Sequence, residues 1–182
     1  FNGKKGSIDY YFKETSHDQI QVSGEYLPVR YELPHAEDYY VGNISKYSWD
    51  VVKLLEKDPS VDFSKYDNDG PDGIPASGDD DGFVDYMVFM PRSRPYDFIL
   101  NNATALAHIS LPGTYTTNNA DVNGNFIRID SLSGCIGTAI NLHQATGTIC
   151  HEYTHTFGAY DLYDTTYDSN EEDSAGIGNW GL

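Results

Sequence analysis

The sequence predicts a mixed α/β or α+β domain in which helices pack on a mixed sheet. Helical and extended segments alternate along the chain, and this alternation is typical of these classes. No repeat and no low-complexity linker divides the sequence, and 182 residues are enough for one domain with a sizeable core. We therefore expect residues 1–182 to form a single domain.

The first half of the chain carries two predicted helices and one predicted strand. Ser7 is expected to cap the first helix, because it precedes apolar residues at helical spacing that include Phe12. Apolar and polar residues alternate over 20–26, which predicts a strand. Ser48 is expected to cap a second helix, which Asp58-Pro59 would end because the residue before a proline disfavours the helical conformation.

The second half carries two predicted strands and a third predicted helix. Residues 83–90 are apolar and β-rich apart from Asp85, which is typical of a central buried strand. Residues 126–129 are predicted to form another short strand. The third helix is expected over about 142–157, with Gly158 ending it in a left-handed conformation.

The chain is strongly acidic, which argues against several classes of partner. It holds 11 Lys and Arg against 28 Asp and Glu, a formal net charge of −17. Nucleic acids and anionic membrane surfaces are themselves polyanions, so we expect neither as a partner. No stretch of the sequence approaches the roughly 20 apolar residues that span a bilayer, so membrane insertion is not expected.

Two cysteines, Cys135 and Cys150, allow two interpretations. They could form one disulfide, which in an oxidising compartment would contribute about 3 kcal/mol. They could equally be two buried thiols. Neither lies in a C-x-x-C pair, so a redox role or a cysteine–zinc site is not expected.

The most informative segment is HEYTHTFGAYD at 151–161 in the third predicted helix. His151 and His155 are four residues apart, so their imidazoles share one helix face and can bind one metal ion. Gly158 allows the chain to leave the helix at a positive φ angle, so that Asp161 can supply a third ligand. Two imidazoles and one carboxylate leave one position of a zinc ion open to water, as in catalytic zinc sites.

Glu152 is the predicted catalytic residue. It follows His151 directly, so it points sideways from the two histidines and is placed to bind a water molecule rather than the metal. Zinc lowers the pKa of its water towards ~7, and Glu152 would take the proton as general base before attack on a carbonyl carbon. The same carboxylate could pass the proton to the departing amine. The segment thus predicts a zinc-dependent endopeptidase.

The longer segment HEYTHTFGAYDLYD at 151–164 resembles the signature of the immune-inhibitor-A-like metalloproteases, secreted bacterial zinc endopeptidases of the metzincin type. More loosely, 7–24 is similar to the helix–strand opening of that family and 62–70 to its Asp-rich segment. The resemblance implies a zincin-like catalytic domain, protein or peptide substrates and an extracellular location. By position, it implies zinc binding by His151, His155 and Asp161 and catalysis by Glu152.

Two departures from the family pattern imply a catalytic domain truncated at both ends. Metzincins carry a methionine-containing turn beneath the zinc. Residues 176–182 resemble the approach to that turn, and the sequence stops before a methionine. The family also has a strand before the segment that starts here at Phe1.

A different assignment of the third zinc ligand is also open. In thermolysin-like zincins the third ligand is a glutamate farther along the chain on another helix, and Glu171 and Glu172 are candidates of that kind. Gly158 ends the predicted helix early, which favours Asp161. In addition, Asp164 could orient a zinc-bound imidazole, because ligating histidines usually donate their other N–H to an acceptor.

An Asp-rich stretch precedes the predicted central strand. Nine Asp, no Glu and one cation, Lys65, lie between Asp58 and Asp85. Carboxylates at this density repel one another unless a cation neutralises them, and calcium prefers about six to eight oxygen ligands. The spacing differs from that of an EF-hand, and a solvated acidic loop is the alternative interpretation. The candidate calcium ligands are Asp67, Asp69, Asp72, Asp79, Asp81 and Asp85.

The function predicted first is therefore a secreted zinc endopeptidase. The alternative is a calcium-stabilised extracellular binding or adhesion module with an inactive zinc helix, and a third reading is a zinc hydrolase of another amide or ester. Glu152 favours catalysis, because a metal scaffold without activity has no need of a base at that position.

Overall fold

The structure is a computed structural model that describes residues 3–91, 109–137 and 142–161. It is a mixed arrangement of helices and small sheets, in agreement with the general class predicted from the sequence. The helices are α1 (Ile8–Thr15), α2 (Ile44–Glu56) and α3 (Leu142–Thr154). The strands are β1 (Met87–Phe89), β2 (Tyr115–Ala120), β3 (Phe126–Ile129) and β4 (Gly134–Ile136). Short 3-10 turns occupy Glu37–Tyr39, Phe63–Tyr66 and His155–Phe157.

The strands form two separate pairs within the described ranges. β1 runs parallel to β4, with Met87 opposite Gly134 and Phe89 opposite Ile136. β2 and β3 form an antiparallel hairpin. β3 coincides with the short strand predicted over 126–129, and its side chains alternate between exposed and buried.

The predicted strand over 83–90 is wrong in its extent, because its first half has other hydrogen-bond partners. Val84 donates its backbone N–H to the Arg128 carbonyl at 2.9 Å, and Asp85 donates to the Tyr66 carbonyl at 2.6 Å. The ladder with β4 begins at Met87. The segment before β1 is thus tied to β3 and to the acidic loop instead of extending the strand.

The first helix begins as predicted, and the second does not. Ser7 accepts a hydrogen bond from the Tyr10 N–H at 3.2 Å and so caps α1. The cap of α2 is Asn43, which accepts from the Lys46 N–H at 3.0 Å, so the assignment of Ser48 as the cap is wrong. Ser48 is buried inside α2, and its hydroxyl accepts from the Ser110 N–H at 3.1 Å.

The predicted strand over 20–26 is also wrong. These residues have no ladder partner in the part of the chain that the structure describes. Ile20 donates its N–H to the Ser16 hydroxyl at 2.8 Å, and Val22 donates to the Asp9 carboxylate at 3.3 Å. Side chains of α1 and of its C-cap residue therefore take the hydrogen bonds that a neighbouring strand would have taken.

Two hydrophobic clusters hold the elements together. The larger one joins α2 to the β2–β3 hairpin. The smaller one packs α1 and β4 against α3, the helix that carries His151. Its buried members are Ile8, Phe12, Val22, Cys135, Ile149 and Cys150. The two cysteines are unbridged thiols, so the structure favours the second of the two interpretations given above.

β1 and β4 approach each other closely at Gly134. A β-carbon at this position would overlap the backbone carbonyl of Met87. Glycine therefore allows the two backbones to lie side by side under α3. Among the described residues, no helix is long and apolar enough to cross a membrane.

Candidate metal centre

The end of α3 turns the chain back towards its own histidines. The α-helix ends at Thr154 and continues as a 3-10 turn over His155–Phe157. Gly158 has φ of 80°, the left-handed conformation predicted from the sequence, and donates its N–H to the His155 carbonyl at 2.9 Å. This reversal brings Asp161 against the histidines.

The structure brings His151, His155 and Asp161 together at one point. The Asp161 Oδ1 atom lies 3.0 Å from His151 Nε2 and 3.4 Å from His155 Nε2. A tetrahedral zinc ion with bonds of about 2.0–2.1 Å would place neighbouring ligand atoms about 3.3 Å apart. All three atoms lie within 4.8 Å of one another. The three side chains therefore have the spacing of ligands around one small cation.

Hydrogen bonding of His155 indicates which of its nitrogens is available to a metal. His155 Nδ1 lies 2.8 Å from the Ala159 carbonyl oxygen, and a carbonyl oxygen can only accept. Nδ1 must therefore carry the proton, and in the neutral ring Nε2 presents its lone pair towards Asp161. This is the arrangement by which proteins usually orient a ligating imidazole.

The carboxylate oxygen at the centre of the group has no other partner. Asp161 Oδ1 is buried and has no hydrogen bond among the described residues. A buried acceptor that faces two imidazole nitrogens requires a positive charge between them, either a proton or a metal ion. The chemistry and spacing of the three atoms fit a divalent metal.

Glu152 lies beside this group without belonging to it. Its side chain is buried, with 7% of its surface exposed. Burial raises the pKa of the Glu152 carboxyl above its usual range, while His151 and His155 act to lower it. A carboxyl with a raised pKa next to a metal group is typical of a general base.

Aromatic side chains pack against the end of α3 and the turn that follows it. The Phe12 ring of α1 contacts Tyr153 at 5.3 Å and Phe157 at 5.8 Å between ring centroids. Tyr86, just before β1, contacts Tyr153 edge-on at 4.7 Å. The sequence analysis did not identify Phe12 or Tyr86 as part of this site. The apolar face of the first helix was the available signal for Phe12, whereas nothing in the local sequence distinguishes Tyr86.

The acidic loop contains a second group with metal-ligand spacing. Carboxylate oxygens of Asp67, Asp69 and Asp85 lie within 4.8 Å of one another. Asp67 is 1% exposed, and its Oδ2 atom has no hydrogen bond with the described residues. Desolvation and the neighbouring carboxylates raise the pKa of Asp67 and of Asp85 to about 6. Three carboxylates this close need a cation or protons.

The other predicted calcium ligands have local partners. Asp72 accepts from the Ile74 N–H at 2.8 Å, and Asp81 accepts from the Phe83 N–H at 2.8 Å. Asp79 accepts from the Ser77 hydroxyl. None of the three belongs to the converging group.

Asp80, which the sequence analysis did not propose, organises the same loop. It accepts from the Gly70 N–H at 2.7 Å and from the Ser77 N–H at 3.0 Å. Three further candidates fall outside the described residues, and the structure leaves their roles as they were predicted. They are Asp164, Glu171 and Glu172.

Comparison of the chain with protein-family models, with curated proteins and with solved structures gives no match in any of the three. The site therefore has to be interpreted from its own geometry and chemistry.

Proposed function

We propose that this protein is a zinc-dependent endopeptidase. The observation that carries the proposal is the meeting of two imidazole nitrogens and one otherwise unpartnered carboxylate oxygen, from His151, His155 and Asp161. Three protein ligands leave a fourth position for water or substrate, which is the difference between a catalytic zinc site and a structural one.

Zinc is the metal that this donor set favours. Two imidazoles with one carboxylate suit zinc, whereas calcium and magnesium prefer oxygen ligands alone. When bound, zinc would polarise the scissile carbonyl and make a coordinated water acidic at neutral pH. The Nδ1–H of His155, held by the Ala159 carbonyl, keeps that imidazole in the orientation and tautomer required of a ligand.

Glu152 is the proton carrier in this proposal. It accepts the proton of the attacking water as that water adds to the carbonyl carbon. It then donates the proton to the departing amine nitrogen as the C–N bond breaks, and so returns to its ionised form. Burial of the Glu152 carboxyl, which raises its pKa, makes it a better base than an exposed glutamate.

The sequence resemblance to immune-inhibitor-A-like proteases supports the choice of peptide bonds over other amides or esters. With it come the proposals of a zincin-like, metzincin-type domain, protein or peptide substrates and an extracellular location. The pattern H-E-x-x-H-x-x-G-x-x-D at 151–161 carries all three.

Paired measurements of metal content and proteolysis test the proposal. The wild-type chain is expected to bind one zinc ion and to cleave an unfolded protein. Glu152→Gln should retain zinc and lose about 10²–10⁴-fold in rate, the usual contribution of a general base. Glu14→Gln, an exposed glutamate on α1, is the matched control and should cleave normally. Equal cleavage by Glu152→Gln would contradict the proposal.

A second candidate is a calcium-stabilised extracellular binding or adhesion module with an inactive zinc helix. The converging carboxylates of Asp67, Asp69 and Asp85 favour it, since calcium binds groups of this kind. The two candidates differ in catalysis, and calcium at this acidic group is compatible with both. A chain that binds both zinc and calcium and cleaves no unfolded protein would support the binding module.

A further inference from the structure

The three converging carboxylates of the acidic loop are held by backbone amides and keep one oxygen atom each without a partner. Each Oδ1 atom accepts a hydrogen bond from a backbone N–H of the same loop. The bonds run from Gly82 to Asp67 at 3.3 Å, from Asp81 to Asp69 at 3.0 Å and from Asn68 to Asp85 at 3.2 Å. No Oδ2 atom of the three has a hydrogen bond or an ion pair in the part of the chain that the structure describes.

The buried oxygen of Asp67 indicates a cation at this group. Asp67 is 1% exposed, and its Oδ2 atom is shielded from water without a donor nearby among the described residues. A carboxylate oxygen in such a place needs a positive charge or a proton. Oxygen ligands lie about 2.3–2.6 Å from a calcium ion, so no two of them are more than about 5 Å apart. The three carboxylates lie within 4.8 Å of one another, and Asp69 and Asp85 are exposed, so an ion can enter from solvent.

Asp85 connects this acidic group to the helix that carries the candidate zinc ligands. It is followed directly by Tyr86, whose ring packs edge-on against Tyr153 with the ring centroids 4.7 Å apart. Tyr153 lies between His151 and His155 in the chain. One peptide bond and one ring contact therefore separate the acidic group from the last turn of α3.

The backbone at Tyr86 depends on the acidic loop for its position. The ladder between β1 and β4 begins only at Met87. Before it, the Asp85 N–H donates to the carbonyl of Tyr66, next to Asp67, at 2.6 Å. Carboxylates this close repel one another when they are ionised and no cation lies between them. A bound cation would therefore fix Asp85, and with it the ring that packs on α3.

We propose that a calcium ion bound by Asp67, Asp69 and Asp85 orders the end of α3 and so strengthens zinc binding by the two histidines of that helix. The Tyr86 ring transmits the effect through its contact with Tyr153. Linkage then requires zinc to strengthen calcium binding by the same factor. The part that concerns zinc rests on the proposed function, whereas the ordering of α3 can be measured without zinc.

The ordering of α3 is tested by amide hydrogen exchange of the zinc-free protein, with calcium chloride or with a calcium chelator. Calcium is expected to slow exchange in the last turns of α3 by about fivefold or more. Asp67→Asn should abolish this response, and Asp72→Asn, which alters a carboxylate of a local turn, should retain it. Calcium that fails to bind, or that binds without slowing exchange in α3, would overturn the proposal.

Two changes at Tyr86 test the route of the effect. Tyr86→Phe retains the ring and should respond to calcium like wild type. Tyr86→Leu removes the ring contact with Tyr153 and should lose most of the response in α3, while calcium still raises its Tm. An equal response of α3 in both variants would overturn the role of the ring.

Zinc affinity provides the second readout, measured with and without calcium by competition with a chromophoric chelator that does not bind calcium. Calcium should tighten zinc binding by about fivefold or more in wild type and have no effect in Asp67→Asn. Zinc binding that is indifferent to calcium in wild type would overturn the coupling and leave the proposed function intact. A chain that binds no zinc and still shows the calcium effect on α3 would overturn the proposed function and leave the ordering of α3 standing.

Discussion

Asp161 is the residue on which the candidate metal centre depends most. It is the one member of the group outside the helical turns, and its Oδ1 atom faces both imidazoles. A chain with two histidines alone would hold zinc weakly, because structural and catalytic sites have at least three protein ligands. A bound cation would, in turn, offset the cost of burying this carboxylate oxygen.

Replacing Asp161 with alanine is therefore expected to weaken zinc binding by at least about 100-fold, beyond the usual effect of outer hydrogen-bond partners. Zinc affinity is measured by competition with a chromophoric chelator. Glu171→Ala and Glu172→Ala are the matched controls and should bind zinc like wild type. Loss of zinc in either of these variants, with Asp161→Ala unaffected, would reverse the ligand assignment.

Phe12 connects the first helix to the turn that carries the candidate metal ligands. It is buried, and its ring contacts both Tyr153 and Phe157, which flank His155 just after the end of α3. Phe12→Ala should lower the free energy of unfolding by about 3–5 kcal/mol, the usual cost of removing a buried phenylalanine. Chemical denaturation measures this change.

The matched control for Phe12→Ala is Glu14→Ala, an exposed change on the same helix that should cost under about 0.5 kcal/mol. We also expect Phe12→Ala to bind zinc more weakly and Glu14→Ala to bind zinc like wild type. A Phe12→Ala variant as stable as the control would show that α1 does not support the turn.

Gly158 sets the direction in which the chain leaves the helix. Its φ of 80° is strained for other residues, while a β-carbon there would meet no atom within 4 Å. Gly158→Ala should therefore cost about 1–2 kcal/mol through the backbone alone and weaken zinc binding, because Asp161 follows the turn. Isothermal titration with zinc checks the second effect.

Gly124 provides the control, since it has φ of 85° and equally open surroundings in a turn of the hairpin. Gly124→Ala should show a similar loss of stability with unchanged zinc affinity. If both variants bind zinc like wild type, the turn at Gly158 does not govern the position of Asp161.

Elements specified by neighbouring residues could be predicted from the sequence. The Ser7 cap, β3 and the left-handed Gly158 depend on contacts within a few positions, and each is present. The predicted cap of α2 at Ser48 and the predicted strand over 20–26 are wrong, because residues distant in the sequence determine both. The Ser48 hydroxyl accepts a hydrogen bond from the Ser110 N–H, and the Asp9 carboxylate accepts one from the Val22 N–H. No local sequence pattern reveals either contact.

The same distinction applies to the candidate metal groups. His151, His155 and Asp161 lie within eleven consecutive residues, so helix geometry predicts their meeting. The acidic group joins Asp85 to Asp67 and Asp69 across a loop whose path depends on Asp80. Sequence alone identifies the acidic stretch, but it does not show which of the carboxylates come together.

At the scale of the whole molecule, carboxyl groups with a raised pKa make the stability of the fold depend on pH. The pKa of Asp67 and of Asp85 is raised to about 6, above the ordinary value near 4. Between these values the folded protein holds more protons than the unfolded chain. The contribution of these two groups to stability is therefore fully present below about pH 4 and is lost as pH rises through 6.

We therefore expect calcium to raise Tm at pH 7.5 and to have little effect at pH 4.5, where protons already occupy the group. Scanning calorimetry with calcium or with a chelator measures both. Asp67→Asn should remove most of the calcium response, and Asp72→Asn is the control that should retain it, since Asp72 serves a local turn. A Tm indifferent to calcium at pH 7.5 would argue for a solvated loop.

The close approach of β1 and β4 determines how freely this chain can vary. At Gly134 any side chain would overlap the Met87 carbonyl. The space between the two backbones, and not the polarity of the side chain, therefore limits which substitutions are tolerated at this position. Leu132, two positions earlier, is half exposed. In a library that randomises both codons and selects for soluble expression, we expect glycine to dominate the survivors at 134 and many amino acids to persist at 132.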